Sequence, residues 1–83
     1  MDARADHAKY EAIDTFAIRG IYIEITGTVQ GASAATTKTF SVSDQDHVAR
    51  CERYLVLAMN RPGRFFVAID EFDSAVCQLE RRP

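Results

Sequence analysis

His47 and Cys51 stand four positions apart, one turn of a helix, and an imidazole beside a thiol is the arrangement that activates a cysteine nucleophile. The wider pattern points away from catalysis. Cys51 falls on the apolar side of the helix expected around it, where a free cysteine acts as a small hydrophobe, and the sequence supplies no third group to orient the imidazole. Adding His7 and Cys77 gives four zinc-capable side chains, but they are scattered and form neither a C-x-x-C nor an H-x-x-x-H pair, so no metal is expected. Gly20, Gly27, Gly31 and Gly63 fit no phosphate-cradling motif, which leaves no nucleotide cofactor and no enzymatic reading.

Groups suited to recognition are more evident. Asp70, Glu71 and Asp73 cluster where a strand is expected to end, a position from which carboxylates face either solvent or a basic partner. Asp44 and Asp46 add negative charge at a helix start. Leu57 lies on the opposite side of that helix from Val48, amid Arg50 and Arg53, and an apolar group ringed by arginines is a common interface composition that a second copy of the chain could cover. The expected partner-binding set is therefore Asp44, Asp46, Arg50, Arg53, Leu57, Asp70, Glu71 and Asp73. Tyr22, Glu24 and Phe66 are expected on a second sheet face, under cover of an N-terminal helix.

The frame for these groups is small. Eighty-three residues and 9.3 kDa make a single domain over 1–83, too short for a deep active-site cavity without loss of core. Ten basic and twelve acidic residues give a net charge of −2, without the basic excess that phosphate-backbone binders carry, so direct nucleic-acid binding is not expected. Eight of the ten cations are arginine, the side chain preferred at planar bidentate contacts. The opening MDARADHAKY has no apolar leader, and the longest apolar run, Leu55 to Met59, is far below a membrane span. Two cysteines permit one internal bridge, but a cytoplasmic setting with reduced thiols is the expectation.

Periodicity supplies the elements. Residues 2–14 read as a short or frayed helix, and Phe16 to Val29 as one strand on which Ile21, Ile23 and Ile25 alternate with polar positions and Gly20 marks a bulge. A loop from Gln30 leads to a second strand, TKTFSV, with Phe40 and Val42 on one face, half wet and near a sheet edge. Ser43 with Asp46 resembles a capping box, opening a helix whose apolar face is Val48, Cys51, Leu55, Ala58 and Met59 and whose end is set by Asn60, Arg61, Pro62 and Gly63. RFFVAID is a third strand beside the first. From Phe72 onward a short helix is favoured over a hairpin strand. The expected fold class is α+β, in the order (α)ββαβ(α or β): a small antiparallel sheet of three or four strands with a central helix on one face.

This layout resembles small phage-encoded anti-CRISPR proteins, with a long first hairpin ending at TKTFSVS, a helix, the N-R-P-G-R break and a charged tail ending LERRP. The resemblance implies a protein that acts without catalysis in the host bacterial cytoplasm, docking on a CRISPR-Cas surveillance complex or its nuclease. Several such proteins set acidic groups against the channel that receives DNA, and the acidic candidates here are Asp44, Asp46, Asp70, Glu71 and Asp73. The alternative expectation is a small nucleic-acid-binding domain that stacks bases on Tyr22, Phe40 or Phe66 and holds phosphates with Arg50, Arg53, Arg61 and Arg64.

Overall fold

The computed structural model describes residues 6–71 and 73–83. It contains β1 (Asp6–Arg19), β2 (Tyr22–Val29), β3 (Thr36–Ser41), α1 (Gln45–Asn60), β4 (Phe65–Glu71) and β5 (Ala75–Arg81). All five strands form one antiparallel sheet in the order β3-β2-β1-β4-β5. The expected α+β fold, a sheet of three or four strands with a central helix packed on one face in the order (α)ββαβ(α or β), is thereby corrected to a sheet-dominated fold of five strands with a single helix among the described residues.

The largest correction is β1, most of which lies where a helix was expected; residues 2–5 of that expectation fall outside the described residues. Its pairing with β2 slips twice, between Tyr10 and Ala12 and between Ile13 and Thr15. Each slip inserts one residue, Glu11 and then Asp14, and so turns the two-residue period of a strand into the three-residue gaps Tyr10–Ile13–Phe16. Gly27 allows the first arm of the bend. Its partner is Ile13, and a Cβ there would fall far inside contact distance of the Ala12 carbonyl oxygen. Gly20 is likewise not a bulge within one strand. With a φ of +63° it opens a two-residue turn, Gly20–Ile21, that reverses the chain between Arg19 and Tyr22. The strand expected over 16–29 is therefore a hairpin.

The bend gives β1 two sets of neighbours. Residues 6–10 pair with β4, and residues 10–19 pair with β2. The neighbour of β4 is thus the segment once read as helix, not the Ile23–Ile25 strand. The β2–β3 arm curls over until the two sheet edges meet, Val42 bridging Ala75 in parallel orientation. Residues 75–81, favoured as a helix, pair with β4 from Phe65↔Arg81 to Glu71↔Ala75; Phe72 lies outside the described residues.

Inside the curl lie Tyr10, Ile23, Ile25, Phe40, Val42, Val67, Ile69, Ala75 and Cys77, closed over by Val48, Cys51, Leu55 and Ala58 of α1. Those helical positions match the apolar face read from the sequence, and the Phe40 and Val42 side of the edge strand β3 is the buried one as expected. Tyr10 meets Phe40 edge-on, ring centroids 6.4 Å apart. Cys51 and Cys77 are joined as a disulfide, with Cα atoms 5.3 Å apart, tying α1 to β5. The expectation of reduced thiols is corrected accordingly. No described helix is long and apolar enough to cross a membrane.

Candidate functional site

The bridge between Val42 and Ala75 decides where the carboxylates go. Asp44 and Asp46 follow Val42 at the start of α1; Asp70 and Glu71 close β4, and Asp73 lies in the turn just before Ala75. Five acidic groups up to 29 positions apart in sequence are thus brought to one end of the molecule. The other end is basic. The helix delivers Arg61 and Arg64 to the start of β4, where Phe65 pairs with Arg81 and Arg82 follows. A strand of seven residues separates the two ends by about 20 Å.

At the acidic end the groups differ in freedom. Asp44 is the residue that caps α1, not Ser43: its Oδ1 accepts the His47 backbone N–H at 3.0 Å and the His47 ring N–H at 2.8 Å. The ring hydrogen bond, followed by the backbone one, holds its carboxyl below the usual carboxylate range. Asp46 and Asp73 are exposed. Asp70 pairs with His7 on the outer face of the sheet. Glu71, on the helix-facing side, lies 3.9 Å from Lys38 Nζ of β3. Two of the three exposed large hydrophobic residues border this end: Val76, opposite Asp70 on β5, and Tyr22, opposite Ser41 on β2.

Arg50, Arg53 and Leu57 do not join them. They lie on the outer side of α1, where Arg53, Val56 and Leu57, with Ala49, Glu52 and Asn60, line a shallow groove of about 450 Å³. Leu57 is half-buried and Val56 exposed. The structure therefore divides the expected set in two, an acidic end and a helix groove.

The chemistry weighed for His47 and Cys51 finds no geometry to support it. Cys51 is buried and bonded to Cys77, so no thiol faces His47. Ser43 Oγ is 3.1 Å from His47, but from the same Nδ1 that faces Asp44. A hydroxyl–imidazole–carboxylate relay needs one partner on each ring nitrogen. The four zinc-capable residues are also kept apart, and among the described residues no three metal-ligating side chains converge.

The stacking alternative loses two of its three aromatics. Phe40 is buried, and Phe66 is already faced by Lys9 Nζ at 4.8 Å and by the Arg82 guanidinium carbon at 4.7 Å from its ring centroid. Tyr22 is 53% exposed, but it lies across from Arg19 and Ser41, not beside Arg50, Arg53, Arg61 or Arg64. The outer sheet face has no helix over it among the described residues, correcting the expected N-terminal cover. It is instead clad by Lys9–Glu80 at 3.0 Å, by His7–Asp70 and by the hydrogen-bonded hydroxyls of Thr26 and Thr37 at 2.8 Å. A half-wet outer face suits an antiparallel sheet. Val76 and the Arg64–Arg81–Arg82 grouping are the elements that sequence reasoning missed, because both follow from the β4–β5 register.

The site thus sits on one curled five-strand antiparallel sheet, with α1 between β3 and β4 and an isolated parallel bridge from Val42 to Ala75. Compared with family models, curated proteins and solved structures, the chain finds no match.

Proposed function

We propose that the protein is a non-enzymatic binding module that lays its acidic end, with Tyr22 and Val76, against a basic surface of a protein partner. The observation that carries this reading is the Val42–Ala75 closure, which gathers carboxylates from two distant segments beside two exposed hydrophobic side chains. Carboxylates alone would give steering and little affinity; an aromatic anchor among them supplies the desolvated contact on which interfaces depend. A basic surface able to receive such an end is one built to hold nucleic acid. In its particular form, the proposal is that the protein blocks the DNA-receiving surface of a CRISPR-Cas effector complex or its nuclease, as the resemblance in layout implies.

The disulfide sharpens the test. Thiols are kept reduced in a bacterial cytoplasm, so an inhibitor acting there must hold its fold and its acidic end with the bond open. The experiment is competition: a guide-loaded effector complex, labelled target DNA and increasing protein, in oxidising and in reducing buffer. Displacement of DNA by the wild type, and its loss in Asp70→Ala/Asp73→Ala, is the expected result. DNA binding that is unaffected at saturating protein in both buffers refutes the inhibitor form.

A further inference from the structure

The basic end holds a second site. Arg61, Arg64, Arg81 and Arg82, with Phe65, line one cleft of about 340 Å³, and no carboxylate contributes to its wall. Among the described residues the ion pairs are Lys9–Glu80, Lys38–Glu71, His7–Asp70 and His47–Asp44, so none of these four arginines is neutralised by an acidic side chain. Their backbones are fixed to one another. Arg64 N–H donates to the Arg61 carbonyl at 3.1 Å, Arg82 N–H donates to the Arg64 carbonyl at 2.9 Å, and Phe65 pairs with Arg81. The Arg82 guanidinium is held in place, resting on the Phe66 ring and donating to the Glu11 carbonyl at 3.2 Å. Four like charges on a rigid frame repel one another, and an anion able to accept from several guanidinium groups at once relieves that repulsion.

From this we infer that the cleft binds a phosphoanion with two adjacent phosphate groups, such as a diphosphate ester or two successive phosphates of a nucleic-acid strand. A single monoanion could engage only part of a wall that four forked donors make. The site is separate from the acidic end, so either can fail without the other.

The test uses the full, oxidised chain with sodium pyrophosphate as probe, followed by NMR of backbone amides and arginine Nε–Hε groups at low salt. Saturable shifts confined to residues 61–65 and 81–82 are expected. Arg61→Ala/Arg64→Ala should weaken binding about tenfold or more, the loss of charge-assisted hydrogen bonds. Arg81→Ala, on an exposed strand position, should weaken it likewise, and Asp70→Ala/Asp73→Ala should leave it unchanged. A ten-residue oligothymidylate is the second probe. Displacement of the oligomer by pyrophosphate assigns the source to a strand backbone; binding of pyrophosphate alone assigns it to a small diphosphate. Shifts that rise linearly and spread over all exposed cations, or wild-type affinity in both arginine variants, overturn the inference.

Discussion

Opening the Cys51–Cys77 bond should cost the fold much of its stability without moving its native contacts. The bond closes a loop of sequence separation 26, and the chain-entropy relation for such a loop gives about 3.5 kcal/mol at 25 °C. Both sulfurs are buried, so the reduced thiols would still pack between α1 and β5, and the loss comes from a freer unfolded chain. For a domain of this size each kcal/mol moves the midpoint by roughly 4–8 °C, which predicts a fall of roughly 20 °C. The assay is thermal unfolding followed by far-UV circular dichroism, with and without a phosphine reductant, thiol titration confirming reduction. Cys51→Ala/Cys77→Ala should fall at least as far, since it also removes buried sulfur. A midpoint unchanged within a few degrees after complete reduction would refute the reasoning.

Gly27→Ala should destabilise by about 1–3 kcal/mol in denaturant titration, because the new methyl group must displace the Ala12 carbonyl. Gly20→Ala, strained by its positive φ but free of any neighbour within 4 Å, should cost less, about 1 kcal/mol. Asp44 is held below its ordinary pKa, so its contribution is present above the unfolded carboxylate range and disappears as pH falls through the lower folded value. Melting temperature in acid should therefore decline less steeply in Asp44→Ala than in the wild type. Burial raises the Tyr10 phenol above 10, so the fold should lose stability as pH rises past that value, and Tyr10→Phe should blunt the loss in alkaline melts. Leu57→Asp, on the helix groove, should leave the thermal transition nearly unchanged; loss of partner capture in that variant alone would move the interface from the acidic end to α1.

Legibility in the sequence followed the regularity of each element. The helix was readable because Val48, Cys51, Leu55 and Ala58 keep an unbroken helical period between an acidic start and the Pro62–Gly63 stop, although the cap proved to be Asp44. Ile23 and Ile25 announced a strand by alternation, and Phe65 to Asp70 by apolar content. β1 was misread because Glu11 and Asp14 each insert a residue, leaving a three-residue spacing that passes for helical. The Gly20–Ile21 turn was obscured by a β-branched hydrophobe where Asn, Asp or Gly is the usual signal. In β5, Ala75, Cys77 and Leu79 alternate, but residues that small carry a weak signal. At the candidate site the acidic residues are visible in the sequence as clusters near a helix start and a strand end, while their convergence depends on a contact between positions 42 and 75 that no local pattern encodes. The arginine cleft escaped notice for the same reason, since only the pairing of Phe65 with Arg81 joins its two halves.

The most direct test of the acidic end as a docking surface is quantitative capture from bacterial lysate, run in parallel with wild type and with Tyr22→Ala/Asp70→Ala/Asp73→Ala, each before and after nuclease treatment. The account predicts a stoichiometric protein that survives nuclease on the wild type and is lost from the triple variant, whose melting temperature is unchanged. Capture that is equal for the two proteins, or that vanishes with nuclease, would contradict it.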